Sequence, residues 1–272
     1  MEERKLRDGE EAMEREPHTP VTESLFARKS VRVFTGEPIS PAKKRLILEA
    51  ACQAPSAGNQ QLYTIIDVTD QALKDTLAVT CDNQPFIAKA DMVLIFCADA
   101  QKWQDAYTAA GLSPRKPGAG DLFLAMEDSL IAAQNAVTAA QSLGIGSCYI
   151  GDILENCSRH RELLHLPEYV VPAAMVVFGY PTSQQEERKK PRRAELSHIV
   201  HENQYRRMPA EELEEMLKPQ AGERPYKEWL DAFCRRKYMS DFSVEMSRSA
   251  REYLAPFLED YRFDGCEFTE KE

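Results

Sequence analysis

No Cys-x-x-Cys pair occurs among the seven cysteines, which stand at positions 52, 81, 97, 148, 157, 234 and 266. Their odd number and scattered spacing argue against a disulfide framework and against a zinc or iron–sulfur centre. No bound metal is expected, and reduced thiols point to a cytoplasmic protein. Positive charge is also short: 34 Lys and Arg stand against 44 Asp and Glu, a formal net charge of -10. Duplex nucleic acid, which needs a broad basic surface, is therefore not an expected partner. No run approaches the roughly 20 apolar residues of a membrane span, and the acidic start lacks the apolar stretch of a signal peptide. Neither a membrane partner nor secretion is expected. There is no Gly-x-Gly-x-x-Gly between a strand and a helix. Gly144-Ile145-Gly146 lacks the third glycine and follows a helical stretch, so a dinucleotide fold of the Rossmann type is not expected. Internal repeats and low-complexity tracts are missing as well.

What is present is enough for a core. Hydrophobic residues make up 43% of 272, sufficient for one large domain or two small ones. Residues 1–20 carry seven Asp and Glu with few apolar neighbours and read as a loosely held acidic arm. A first helix is expected over 22–29 with Thr22 as its cap. Ser40 as N-cap with Pro41 at the first helical position starts a second, to about Cys52. The loop Pro55-Ser56-Ala57-Gly58-Asn59-Gln60 leads into a strand at 63–68, and 71–79 should be helical. Met92 to Cys97 is nearly all apolar and reads as a central strand covered on both faces. A Gly- and Pro-rich loop at 111–120 precedes the longest helical stretch, 122–143. That stretch is apolar nearly all round, which places it in a core or an interface. Strands are expected at 147–150 and 170–178, and polar amphipathic helices at 209–217, 224–236 and 241–258, the last capped by Asp241 or Ser243. The order does not alternate strand and helix regularly, so an α+β class is favoured over a doubly wound sheet.

Two clusters concentrate positive charge in this acidic chain: Arg28-Lys29-Ser30-Val31-Arg32 and Lys190-Pro191-Arg192. Arg and Lys beside a hydroxyl donor suit a phosphate dianion, because charge-assisted hydrogen bonds are roughly twice as strong as neutral ones. A basic cluster alone is more often a solvated face. Taken in order with Ala54-Pro55-Ser56-Ala57-Gly58-Asn59-Gln60, Gln134-Asn135-Ala136, Gly144-Ile145-Gly146-Ser147-Cys148-Tyr149-Ile150-Gly151, Phe178-Gly179-Tyr180-Pro181 and His201-Glu202-Asn203-x-Tyr205, the clusters resemble the nitroreductase family of FMN-dependent NAD(P)H oxidoreductases. The likeness is greatest to its larger, oxygen-insensitive nitroreductase and flavin reductase branch, and it runs from about Thr22 to Tyr205.

The resemblance implies a nitroreductase-like fold: a central, mostly antiparallel sheet flanked by helices, in a domain-swapped homodimer. It divides the chain into the arm (1–20), an FMN-binding domain (21–205) and a helical C-terminal extension (206–272) packed on the dimer. It implies that Arg28, Lys29 and Ser30 grip the FMN phosphate, with Lys190 and Arg192 as a second clamp. Arg32 would lie near the pyrimidine edge of the ring, where a cation favours the anionic reduced flavin. Pro55, Ser56, Ala57 and Asn59 match a loop given to the flavin by the partner subunit, and Asn83 and Gln84 an amide contact to the ring. Tyr149, Ile150 and Gly151 match backbone facing the ring, glycine allowing close approach. NADPH or NADH would supply hydride, and a flat small-molecule acceptor (a nitroaromatic, a quinone or free flavin) would take it. No Ser, Cys or His is expected to be catalytic, since the flavin carries the chemistry. Arg115 and Lys116 are candidates for the extra phosphate of NADPH. Two alternatives stay open: a specialised reaction on the same fold (dehalogenation, dehydrogenation or flavin cleavage), and a flavin-binding interaction protein without turnover that uses the C-terminal aromatics.

Overall fold

The computed structural model describes residues 17–258. Most of the expected acidic arm, and Cys266, lie outside the described residues.

Helix α1 is Pro20–Ala27, earlier than expected: Thr19, not Thr22, is its N-cap, and the two threonines close a reciprocal capping box. Helix α2, Pro41–Cys52, starts as anticipated, with the Ser40 side chain accepting from the Lys43 N–H. Strand β1 (Tyr63–Asp67) is followed by α3 (Gln71–Thr80), capped by Asp70, and by a single turn, α4 (Phe86–Lys89). Strand β2, Met92–Asp99, is buried at every position. Two further helices follow, α5 (Gln101–Ala109) and α6 (Ala119–Ser142), before β3 (Gly146–Ile150). A 3-10 turn, Gly151–Leu154, leads to α7 (Cys157–Leu164) and to β4 (Val170–Gly179), again buried throughout. The short α8 (Ser183–Glu187) precedes three C-terminal helices: α9 (Ala210–Ala221), α10 (Tyr226–Tyr238) and α11 (Asp241–Leu254). Ser240, not Asp241 or Ser243, caps α11.

The four strands form one sheet in the order β1-β2-β4-β3, antiparallel at every junction. Alternation along a strand sends neighbours to opposite faces, and both faces are covered. Met92, Leu94 and Phe96 pack with Val176 and Phe178 against Ile47 of α2 and Ala132, Ala136 and Val137 of α6. Val93, Ile95 and Cys97 pack with Met175 and Val177 against Leu77 of α3 and Ile87 of α4. This explains why β2 and β4 read as continuous apolar runs. The register slips between Phe96 and Cys97, where Cys97 faces Pro172. Proline has no N–H to give the ladder, and a bulge tolerates it inside a sheet. A third cluster closes the Ala98 end of the sheet, where Tyr253 and Phe257 pack on Leu122, Tyr169 and Val171.

Helix α6 meets the expectation of a core helix on one face. Its alanine face is fully buried, while Phe123 stays 63% and Leu124 43% exposed on the other side.

Candidate functional site

The segment after α1 is held at one end of the sheet. Ser30 bridges Ser147 of β3, and Phe34 bridges Pro181 just past β4. The Val31 N–H donates to the Ser147 carbonyl at 2.9 Å and the Thr35 N–H to the Tyr180 carbonyl at 2.9 Å. Two glycines make this approach possible. A Cβ on Gly146 would stand 2.6 Å from Val31 Cγ2, and one on Gly179 would stand 2.6 Å from Phe34 Cδ1.

The chain then brings the second basic segment onto the first. The Lys29 ammonium donates to the carbonyls of Glu186 and, at 2.6 Å, of Arg188. The Arg188 guanidinium donates to the Ser30 carbonyl. Lys190 Nζ donates to the Phe26 carbonyl at 2.8 Å, at the end of α1. The Arg32 N–H donates to Gln185 Oε1 at 3.3 Å. Two regions about 160 residues apart in sequence thus converge.

The convergence concentrates positive charge that the described residues do not neutralise. Arg28 lies over the Tyr149 ring, 5.7 Å from its centroid, and its buried Nε and Nη2 find no hydrogen-bond partner among the described residues. A buried unsatisfied donor costs about 1–3 kcal/mol, more when charged, a cost that an acceptor at this position would relieve. Burial, with Arg193 and Arg28 nearby, lowers the pKa of Lys190. Burial raises the Cys148 thiol, against the pull of Arg32, Arg28 and Arg188. Burial also pushes the Tyr149 phenol up to about 12, again against Arg28. A phosphate dianion fits this donor set in charge and in hydrogen-bond sense.

Arg32 reaches the other side of the site, its guanidinium 5.9 Å from the Phe86 ring centroid. The Asn83–Gln84 turn lies next to that ring in the chain. Asn83 is held at φ 50, and Gln84 donates its side-chain amide to the Cys81 carbonyl. Tyr149, Ile150 and Gly151 lie at the sheet's edge, because β3 is the last strand. A Cβ on Gly151 would meet nothing within 4 Å, so its backbone faces open space.

One of the expected groups lies elsewhere, and two expected cations are engaged on carboxylates. The 55–60 loop sits at the opposite end of the sheet, where Tyr63 pairs with Ala98. There the buried carboxylate of Asp128, on α6, accepts from the Ala57 N–H at 2.9 Å and the Leu62 N–H at 3.0 Å. Within one protomer the loop carrying Pro55, Ser56, Ala57 and Asn59 does not join the cationic end. Arg192 is exposed and pairs with Glu195 at 3.0 Å. Arg115 is committed as well, its two terminal nitrogens gripping Asp121 at 2.6 and 3.0 Å.

The nitroreductase family model matches residues 25–180. An oxygen-insensitive NADPH nitroreductase of Salmonella typhimurium is 38% identical over 188 residues, 69% of this chain and 75% of that protein. The chain belongs to the nitroreductase family. A Cr(VI) reductase of a Pseudomonas species is 30% identical over 240 residues, 86% of this chain and 97% of its own length. Among solved structures, the NADPH:FMN oxidoreductase of Vibrio harveyi in complex with NAD+ superposes with a TM-score of 0.69. It is 27% identical and covers 88% of this chain and 99% of its own. An alignment covering 86% of the chain must pass residue 208, so the likeness to this Cr(VI) reductase extends into the C-terminal helices and beyond the segment that the sequence motifs marked.

The sequence reading assigned no role to three residues that make these contacts: Arg188 at the Ser30 carbonyl, Gln185 at the Arg32 N–H, and Asp128 under the 55–60 loop. The acidic chain context of Arg188 was a usable signal, but Asp128 and Gln185 act through long-range contacts that leave no local pattern.

Proposed function

We propose that this protein is an FMN-dependent NAD(P)H oxidoreductase that works as a homodimer and passes electrons to a flat, electron-poor acceptor such as a nitroaromatic, a quinone or free flavin. The observation that carries the reading is the Arg28 guanidinium, with two buried donors and no acceptor, at the centre of the cationic end of β3. Family membership supplies the prior, and the relatives' names supply the donor and acceptor classes.

Bound FMN would supply hydride transfer from a nicotinamide to an acceptor stacked on the same ring face. The chain's own groups bind and orient. Arg28, Ser30 and Lys190 would hold the phosphate, with Arg192 reaching in once released from Glu195. Lys29, tied to two carbonyls, would fix the loop that carries them. Arg32 would place positive charge at the pyrimidine edge and favour an anionic reduced ring. Tyr149, Ile150 and Gly151 would offer backbone at the open edge of the sheet, with Asn83 and Gln84 on the far side.

The 55–60 loop would reach the cofactor of the second protomer. Exposed apolar residues support a dimer: Phe123, Leu124, Leu130 and Ile131 on α6, and Leu25 and Phe26 on α1. Such exposed apolar surface commonly marks an interface. The described cysteines are all unpaired, which fits a cytoplasmic location, and no described helix is long and apolar enough to cross a membrane.

The full-length protein should purify yellow, or take up FMN one per protomer, and then oxidise NADPH or NADH with a nitro compound or quinone as acceptor. A colourless protein that fails to take up added FMN overturns the reading. A fully flavinated protein with no turnover would leave a binding role in its place.

A further inference from the structure

We infer that Arg188 is a phosphate-recognition residue of this site, taking the place at the anion that Lys29 holds by sequence position. The inference rests on the FMN reading above.

The two side chains cross. Lys29 belongs to the basic motif, yet its ammonium donates to the main-chain carbonyls of Glu186 and Arg188. Arg188 lies outside both basic motifs, yet its Nη2 reaches back to the carbonyl of Ser30. Each basic side chain is anchored on the other's strand of backbone. An ammonium has three donors, and with two of them on carbonyls one is left for a charged ligand. A guanidinium carries five N–H donors in a planar fork. Among the described residues Nη2 is the one Arg188 nitrogen that donates to a protein acceptor, so Nη1 and Nε stay open while Nη2 fixes the plane. The carbonyl that anchors it belongs to Ser30, two residues along the chain from Arg28, whose Nε and Nη2 are the unmet donors. Arg188 therefore adds a pre-oriented fork to the unpaired Arg28. Preorganised bidentate donors are the strong way to hold a phosphate.

This arrangement separates two roles that a simple reading of the motif merges. Arg188 recognises the phosphate. Lys29 latches the loop and does not touch the anion. The separation is testable with two flavins that share a ring and differ in the phosphate, FMN and riboflavin. Flavin fluorescence quenching would be titrated on full-length apoprotein for wild type, Arg188→Ala, Arg188→Lys and Lys29→Ala, with thermal melts to confirm that each variant folds.

Arg188→Ala should weaken FMN by about tenfold or more, the scale of one charge-assisted hydrogen bond, and leave riboflavin within about twofold. Arg188→Lys should recover part of the loss, since it keeps the charge but not the fork. Lys29→Ala should shift both flavins by the same factor. Arg188→Ala weakening FMN and riboflavin equally, or neither, overturns the inference while the FMN reading survives. If Arg188→Ala did not fold, an Arg188→Lys variant with unchanged FMN-to-riboflavin preference would overturn it. A wild-type protein that binds neither flavin removes the FMN reading and this inference with it.

Discussion

The two ends of β3 treat crowded charge in opposite ways. Before and along Ser147–Tyr149 stand Arg28, Arg32, Arg188 and Lys190, and two buried donors of Arg28 find no partner among the described residues. Just beyond Ile150 the chain meets acids: Asp152 and Glu155, joined by Asp82 from the end of α3 and Glu245 from α11. The acidic end resolves its crowding internally. Glu245 is held down at about 2, first by Arg248 and then by the Ser249 hydroxyl and the Asn156 N–H. Glu155, 5% exposed, is instead pushed up to about 7 by burial and by its three acidic neighbours. A carboxyl can escape like-charge repulsion by taking a proton near neutral pH; a guanidinium cannot escape by losing one, because it stays protonated in proteins. Cations left unpaired at neutral pH are therefore an open demand for an anion, whereas the acids have met their own.

The largest expected effect removes the centre of the cationic end. Arg28→Ala takes away two buried donors, so FMN affinity should fall by about 30-fold or more, on the order of 2 kcal/mol for hydrogen bonds to a charged group. The apoprotein should melt within a degree or two of wild type, because Nε and Nη2 give up no hydrogen bond and only the contact with the Tyr149 ring is lost. A variant that loses several degrees of melting temperature but keeps FMN affinity would make Arg28 a structural cation, and the contrast between the ends would disappear. The next effect comes from the backbone that seats the cradle. Gly146→Ala would drive a methyl against Val31, at 2.6 Å from Cγ2 and 2.8 Å from Cβ. Overpacking of this kind costs about 1–3 kcal/mol. Denaturant midpoints should drop accordingly, and FMN should weaken too, since Val31 lies between Ser30 and Arg32. A neutral outcome would mean that the segment yields freely and that the close approach does not position it.

Much of this architecture was legible in local sequence, and the exceptions have a common cause. Ser40-Pro41 marked the start of α2, and the apolar run at 92–97 marked a strand buried on both faces, because capping and burial leave signals within a few residues. Helices α5 and α7 did not stand out. α7 begins after Asn156 in a left-handed conformation with no side-chain cap, and few of its residues are apolar. It is fixed by tertiary contacts such as the His160 ring, which bonds the Ile153 carbonyl and the Thr80 hydroxyl. Thr19 and Thr22 are equally good caps by type, and the reciprocal bond between them decided in favour of the earlier one. At the site, the order of the motifs marked Arg28 and Lys190. It did not show that Lys29 turns to carbonyls or that Arg188 turns to Ser30, because both depend on where a segment about 160 residues away returns.

The last expected effect, absent at acid pH, tests the acidic end through its pH dependence. Glu155 rises from an ordinary 4.5 to about 7 on folding. The native state therefore holds its proton more tightly than the unfolded chain does. Stability linked to this group is fully present below about pH 4.5 and is lost as the pH climbs through about 7, where the buried carboxylate forms beside Asp152, Asp82 and Glu245. Glu155→Gln mimics the protonated acid at every pH. In urea melts it should match wild type near pH 4.5, pull ahead as the pH rises, and lead by about 1–3 kcal/mol above pH 8. A lead of equal size at both pH values would mean that Gln packs better for reasons unrelated to charge. A variant less stable than wild type at pH 8 would mean that ionised Glu155 has a favourable partner, and the acidic end would then be no better self-neutralised than the cationic one.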